Sequence, residues 1–257
     1  MKKEFKMNNA CNFSLRFTLG TTMDYFIVYT LTHMLEQQDP TKPVEAVLPT
    51  KNFYWCSSQN FTFSCMPSVK PEQARQLIEL GTLFSGEFDT VLIESNEPPQ
   101  VIDAAAGIIL PPKNLTELDR LAATVREIDR ACFSVPRGAL KYTPLNQVLY
   151  NEAFRGLSRD DAFSLNGWVH FRQVQNQKQK DMIARQEAVF SDDFLDDVSA
   201  DKPNLCWSVM KDTTQTVATL RSQLWPGYYG FHRSNTPIYG SVYIGDGIKN
   251  IDLPFMI

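Results

Sequence analysis

Short runs of aromatic and β-branched residues, each closed by turn-forming residues, constrain the fold of this chain more than any other feature. Residues 13–19 and 25–31 form one pair of runs around residues 20–24, and residues 52–56 and 61–65 form a second pair around residues 57–60. Such pairs are typical of strands joined by tight turns. Because strands do not alternate with long helices, the pattern predicts an α+β fold of mainly antiparallel β-sheet with a few packed helices.

The C-terminal part of the chain returns to the same pattern, with strands predicted over residues 206–210, 217–225 and 240–244. Trp225-Pro226-Gly227 places Pro where φ is fixed and Gly where φ can be positive, which is typical of a type II turn. Most aromatic rings around this turn are expected in the sheet core. A ring left exposed would be a natural interface anchor.

One segment has clear helical periodicity. Its apolar residues recur at intervals of three and four, which predicts a helix over residues 116–132 that is capped by Asn114 or Thr116 and stopped by Pro136. The apolar face is Leu118, Leu121, Ala122, Val125, Ile128 and Cys132, and the polar face is Glu117, Arg120, Thr124, Glu127 and Arg130.

Three further segments have weaker helical signals. Residues 71–80 are predicted to form a short helix with Pro71 in its first turn. Ser158 and Asp161 form an approximate capping box, which predicts a second helix that runs through Trp168. The Gln-rich residues 173–186 are expected to form a solvated helix or loop.

A chain of this length can bury a substantial core and fits one large domain or two small ones packed together, and we expect a single domain over residues 1–257. A strand-rich part covers residues 1–95, and a helix followed by further strands covers residues 114–257. The proline-bounded residues 96–113 between them are predicted to be a packed loop or linker, because they enclose a small apolar run.

Composition excludes several functions. The formal charge of −4, without a basic run, argues against a nucleic-acid partner. The longest apolar stretch near the N-terminus, residues 25–31, is too short to span a bilayer, and Asn8 and Asn9 interrupt any signal sequence. The chain is therefore expected to be intracellular, not secreted, and without a membrane partner.

Five scattered cysteines without a Cys-x-x-Cys pair are expected to be small core residues in a reducing compartment. Cys56 and Cys65 flank a predicted turn, so a contact between them across a hairpin stays open, although zinc spacings are absent.

No motif indicates catalysis. His33, His170 and His232 lack metal-binding spacing, and His170 and His232 lie beside aromatic residues, where a packed histidine is more common than a catalytic base. Gly245-Asp246-Gly247 is closer to a tight turn than to a phosphate loop, because no long helix follows. We therefore assign no catalytic, cofactor-binding or metal-binding residues. The alternative is an enzyme or nucleotide-binding protein with a site around His170, His232 and Gly245–Gly247.

The acidic residues 192–197 do not have the pattern of a calcium-binding loop. They are expected to form a solvated loop, and a second interpretation is an acidic docking segment held by Phe194 and Leu195.

Several blocks of the chain resemble the radial spoke head protein 9 family. They are Pro136-Arg137-Gly138-Ala139-Leu140, Phe154-Arg155-Gly156-Leu157-Ser158, Leu220-Arg221-Ser222-Gln223-Leu224-Trp225-Pro226-Gly227, residues 239–245, and Lys249-Asn250-Ile251-Asp252-Leu253-Pro254-Phe255-Met256. The resemblance extends from about residue 12 to the end and lacks the family's N-terminal helical extension. The third block also resembles the paralogous radial spoke head proteins 4 and 6.

The resemblance implies a non-enzymatic scaffold in the spoke heads of motile cilia and flagella, where it supports the communication with the central pair that regulates beating. It implies packing against head proteins of the 4 and 6 type and MORN-repeat head subunits, on the side facing the central pair. No cofactor is implied. The acidic chain is a poor match for the acidic microtubule surface, which fits a subunit held by other spoke proteins. A third hypothesis is a soluble adaptor outside cilia.

Overall fold

The structure is a computed structural model that describes residues 13–19, 23–32, 46–57, 63–95, 100–103, 108–110 and 114–256. For residues 13–19, 23–32, 50, 57, 100–103 and 108–110 it describes the backbone alone. Several residues discussed above lie outside the described ranges, namely Asn8, Asn9, Cys11, His33, the turn residues 20–22 and 58–60, the strand residues 61 and 62, and residues 96–99, 104–107 and 111–113.

The described strands and helices are numbered in chain order. The strands are β1 (Phe13–Leu19), β2 (Met23–Thr32), β3 (Thr50–Ser57), β4 (Ser64–Cys65), β5 (Val91–Ile93), β6 (Gln100–Asp103), β7 (Ile108–Leu110), β8 (Leu115–Thr116), β9 (Ser134–Pro136), β10 (Leu140–Tyr142), β11 (Val148–Tyr150), β12 (Trp168–His170), β13 (Trp207–Lys211), β14 (Val217–Ser222), β15 (Tyr228–Arg233) and β16 (Tyr239–Gly245). The helices are α1 (Pro71–Glu79), α2 (Glu117–Cys132), α3 (Arg159–Ala162), α4 (Gln177–Ala184) and α5 (Leu253–Met256).

Eight strands form one sheet in the order β13-β14-β15-β16-β1-β2-β3-β4. Neighbours are antiparallel except β1 and β16, which run parallel with Phe13 opposite Ser241 and Phe17 opposite Gly245. An N-terminal and a C-terminal meander therefore join into a continuous sheet. The predicted α+β fold of mainly antiparallel strands is confirmed.

The core lies against one face of this sheet. Strand β14 alternates buried Ala218, Leu220 and Ser222 with half-buried neighbours, as the period of a strand requires. Tyr228 and Tyr243 on the next two strands are fully buried, and the Tyr228 hydroxyl accepts a hydrogen bond from a backbone N–H of β9 at 3.1 Å. These two rings occupy the core position predicted for most of the aromatic residues.

Helix α2 begins after Thr116, whose backbone N–H and hydroxyl donate to the Asp119 carboxylate at 3.0 and 3.1 Å. The predicted apolar face is buried except for Leu118, which packs against the core from a partly exposed position. Three residues of the polar face, Glu117, Arg120 and Thr124, are also buried. Residues 82–85 cover them because they bind the guanidinium group of Arg120 and the carboxylate of Glu117.

The other helix predictions have mixed outcomes. Helix α1 confirms the prediction for residues 71–80. Helix α4 lies within the Gln-rich segment, but Gln179 and Ile183 are buried, so it is not fully solvated. The helix predicted from Ser158 is wrong beyond Ala162, since the chain continues into Leu165–Gly167 and then into strand β12.

The described part of the segment predicted to be a loop is a hairpin. Gln100 in strand β6 lies opposite Leu110 in strand β7, so the loop prediction is wrong for both strands. Strands β5 and β8 flank this hairpin in the sequence and pair with each other. The assignment of residues 1–257 to a single domain stays a prediction.

Two smaller predictions concern cysteines and membranes. Tyr54, and not Cys56, lies opposite Cys65 in the register of β3 and β4, so the two cysteines do not face each other across the strand pair. Over the ranges that the structure covers, no helix combines the length and apolar character needed to cross a bilayer.

Candidate interaction surface

His170 is fully buried in strand β12. Its Nε2 lies 2.8 Å from Oδ2 of Asp201, and the same oxygen accepts a hydrogen bond from Nε1 of Trp207 at 2.9 Å. Burial alone would raise the pKa of Asp201, but the hydrogen bonds from His170 and Trp207 outweigh burial and lower it. His170 therefore links strand β12 to the residues before β13, which is the packed position expected from the sequence.

His232 is fully buried in strand β15, and its tautomer follows from its partners. Nε2 accepts the backbone N–H of Leu157 at 3.1 Å, so it carries no proton. Nδ1 therefore carries the proton and donates it to the carbonyl oxygen of Ile238 at 2.9 Å. Burial lowers the pKa of His232, against the smaller opposing effect of the Ile238 carbonyl.

This lowered pKa predicts a pH dependence. As the pH falls through about 6.5, the unfolded chain takes up a proton at position 232 before the folded chain does. The free energy of unfolding is therefore expected to decrease until the pH reaches the lower folded pKa of His232. His232→Gln should be less stable but should lose less stability per pH unit in this window, measured by urea denaturation. Parallel curves at every pH would contradict this prediction.

The residues of the alternative enzymatic site make their hydrogen bonds to other partners. Within the described residues, no hydrogen bond joins His170 to His232 or joins either to the glycine turn. The backbone N–H of Gly247 donates to the Tyr243 hydroxyl at 3.0 Å, and the next helix, α5, has only four residues. In the same ranges, no group of three His, Cys, Asp or Glu side chains is placed to bind a metal ion.

The acidic residues 192–197 are used inside the molecule. Phe194 and Leu195 are buried in the core, and Arg137 forms ion pairs with Asp193 and Asp197. Asp196 accepts two backbone N–H groups at 2.9 and 3.0 Å. The expectation of a solvated loop is therefore wrong for this segment. Most of its carboxylates bind groups of this chain, so they do not favour its second interpretation as an acidic docking segment.

Two blocks of the sequence meet beside the Trp225 turn. The backbone N–H of Tyr228 donates to the Trp225 carbonyl at 3.1 Å and Gly227 has φ of +101°, as a type II turn requires. The backbone N–H of Asn250 donates to the carbonyl of Leu224 at 2.8 Å. Together with buried Leu253, this bond fixes the C-terminal segment against the sheet.

A groove of about 1050 Å³ lies between residues 69–84, the part of α2 over residues 120–130, and residues 247–252. We call it the tail groove. Leu77, Ala123 and Trp225 line it and are buried, whereas Ile248 and Ile251 are exposed by 46% and 73%. Exposed apolar side chains beside a concave surface are typical of a protein-interaction site.

The position of Arg120 fixes one end of the tail groove. One of its terminal nitrogens lies 2.7 Å from Glu117 Oε1, and the other donates to the carbonyl of Thr82 at 2.9 Å. Glu117 Oε1 also accepts the backbone N–H of Ser85 at 2.7 Å. Residues 82–85 are therefore held against α2, and two of them, Thr82 and Phe84, line the groove.

Comparison with known proteins decides the family. A family model described as radial spokehead-like protein matches residues 172–257, which include the Trp225 turn and one wall of the tail groove. A radial spoke head protein 9 homolog from Mus musculus is 32% identical over 245 residues, or 93% of this chain and 82% of the mouse protein. The chain belongs to the radial spoke head protein 9 family. A radial spoke head protein 9 homolog from Danio rerio is 42% identical over 141 residues, or 55% of this chain and 51% of that protein.

In this member of the radial spoke head protein 9 family, the sequence indicated only part of the candidate surface. The blocks that carry the resemblance include Trp225, Ile251 and the Asn250 that anchors the segment. The α1 wall and the cation of Arg126 were not predicted as part of a site.

Proposed function

We propose that this chain is a structural subunit of the radial spoke head in the axonemes of motile cilia and flagella, where it supports the spoke–central pair communication that regulates dynein-driven beating. It packs against head proteins of the 4 and 6 type and MORN-repeat head subunits, on the side that faces the central pair. Its contribution is assembly, and it catalyses no reaction.

Membership of the radial spoke head protein 9 family carries this proposal. The geometry supports it in two ways. Ile248 and Ile251 are exposed on a segment whose Asn250 and Leu253 are fixed, so the surface offered to a partner is preorganised. The alternative enzyme has no support from its own residues, because His170 and His232 are each buried in separate hydrogen-bond networks.

A deletion strain tests the assembly role. We expect electron tomography of its axonemes to show doublets and dynein arms in place, incomplete spoke heads and abnormal beating. Affinity purification from salt-extracted axonemes should recover the head proteins of the 4 and 6 type and not tubulin. Complete spoke heads in the deletion strain would refute the assembly role, and nucleotide binding by calorimetry would favour the enzyme.

A pair of matched variants tests which surface is used. Ile251→Asp places a charge on the tail groove, and Ile238→Asp places one at another exposed position, between β15 and β16. Interfaces depend on a few buried anchors, so we expect Ile251→Asp to reduce recovery of the head proteins by about tenfold and Ile238→Asp to leave it unchanged. Equal recovery with both variants would contradict use of the tail groove.

A further inference from the structure

We infer that the tail groove binds an acidic, amphipathic helical segment of a partner protein. The inference names the chemistry of the partner, and it rests on the proposed function only for the statement that the partner belongs to the spoke head. Three independent properties of the groove lead to it, namely its hydrogen-bond donors, its charges and its shape.

Two buried donors in the groove lack acceptors. Trp225 is 2% exposed and Arg120 is 4% exposed, and both line the groove. Neither Nε1 of Trp225 nor Nε of Arg120 has an acceptor within the described ranges. Buried N–H groups are nearly always paired, and both nitrogens have less than 1 Å² of accessible surface, so oxygen acceptors of a ligand would satisfy them once the side chains above them shift.

The charges of the groove favour carboxylates as those acceptors. Arg75, Arg126 and Lys249 line it, and none forms an ion pair with a carboxylate of the described residues. Burial lowers the pKa of Arg126, whose guanidinium group lies over the Phe53 ring at 5.7 Å. An incoming carboxylate would stabilise its charged form.

The acidic side chains of the groove do not neutralise these cations. Glu127 is paired with Arg130 at 2.8 Å, and Arg120 is paired with Glu117. The remaining two acidic side chains are Glu79 and Asp252, against three cations that form no ion pair with a described carboxylate. The groove therefore has a local excess of positive charge in a chain whose formal charge is −4. This is the electrostatic pattern that selects an acidic partner.

The shape and apolar rim of the groove favour a helix. Helix α1, which forms one wall, has nine residues, so the wall is about 13 Å long and matches two to three turns of a partner helix. Ile78, Ile248 and Ile251 expose apolar surface around the groove. A helix with apolar residues at i, i+3, i+4 and i+7 would contact them while its flanking carboxylates reach the cations.

Peptide titration of the purified full chain tests the inference. The probes are fluorescein-labelled peptides of about fourteen residues with leucine at i, i+3, i+4 and i+7 and either glutamate or glutamine at the flanking positions. We expect fluorescence anisotropy to show about tenfold tighter binding of the glutamate peptide at about 50 mM salt, and a smaller difference at about 300 mM salt. In the ¹⁵N spectrum, the indole N–H resonance of Trp225, assigned with Trp225→Phe, should shift on binding.

Matched variants locate the binding. Arg126→Gln removes a groove cation, and Arg185→Gln removes an exposed cation of the same type after α4. We expect Arg126→Gln to weaken binding of the glutamate peptide about fivefold. Arg185→Gln should change the affinity by less than about twofold. Equal effects of the two variants, equal affinity for both peptides, or no binding would overturn the inference.

A second copy of this chain is the other possible occupant, and the same material tests it. A concentration-dependent dimer that Ile251→Asp abolishes, measured by sedimentation without peptide, would assign the groove to self-association and overturn the inference. The titration uses only this chain and a synthetic peptide. Its failure is therefore distinguishable from failure of the co-purification that tests the proposed function.

Discussion

Gly227→Val is expected to destabilise the chain by about 2–4 kcal/mol. Gly227 has φ of +101°, which alone strains a β-branched residue by about 1–3 kcal/mol. A Cβ atom at this position would also lie 2.1 Å from the carbonyl oxygen of Ile244. The strand must then move, and the hydrogen bond from the Ile244 N–H to the Gly227 carbonyl would be lost, for about 1 kcal/mol more. Urea denaturation measures the loss.

Gly81 distinguishes the effect of backbone strain at positive φ from the effect of a steric clash at the added Cβ atom. Gly81 also has positive φ, +60°, but the nearest atom to an added Cβ is 3.8 Å away. Gly81→Ala should therefore destabilise by about 1 kcal/mol, whereas Gly227→Ala should destabilise by at least twice as much. If the two alanine variants lose the same free energy of unfolding, the close approach of β16 to the turn does not contribute to the loss at Gly227.

Asp129→Ala is expected to destabilise by about 3–5 kcal/mol, because it leaves a buried ammonium group without its carboxylate. Lys51 Nζ lies 2.7 Å from Asp129 Oδ2 and contacts the rings of Phe133 and Phe171 at 4.5 and 4.8 Å from their centroids. Burial lowers the pKa of Lys51 and raises that of Asp129, and the attraction between the two opposes both shifts.

Two comparisons isolate the effect of the unpaired charge. The double variant Lys51→Met, Asp129→Leu should lose less stability than Asp129→Ala, because no charge is then buried. On the same helix, Glu127→Ala breaks a largely exposed pair with Arg130 and should change stability by only about 0.3–0.5 kcal/mol. A double variant that loses as much stability as Asp129→Ala would show that the unpaired buried charge is not the cause of the loss.

Local patterns predicted the parts of this fold that depend on neighbours in sequence. The strand over residues 13–19 has the predicted bounds, and α2 has the predicted cap at Thr116 and end at Cys132. Both follow from periodicity and capping, which a single segment contains. The type II turn at Gly227 was predicted for the same reason.

The parts that could not be predicted depend on contacts between distant segments. The burial of the polar face of α2 could not be predicted from its periodicity, because the residues that bind Arg120, near Thr82, are far from it in the chain. The predicted helix ends early at Ala162. Gly167 packs so closely against the Asp161 backbone that a Cβ atom added to it would lie 2.2 Å from the Asp161 carbonyl oxygen.

The same limit applies to the candidate site. The block over residues 249–256 contains residues of one wall of the tail groove, but Arg126 and the α1 wall join them only in the folded chain.

The parallel pair of β1 and β16 has a consequence for synthesis on the ribosome. Phe13 precedes its partner Ser241 by nearly the whole length of the chain. During translation, β1 therefore leaves the ribosome long before β16 has been synthesised. Until then β1 has only β2 beside it and presents an unpaired strand edge, which is a template for association with other chains. Long-range pairing of this kind also slows folding. We therefore expect nascent chains to need chaperone protection of β1 until translation of β16 is complete.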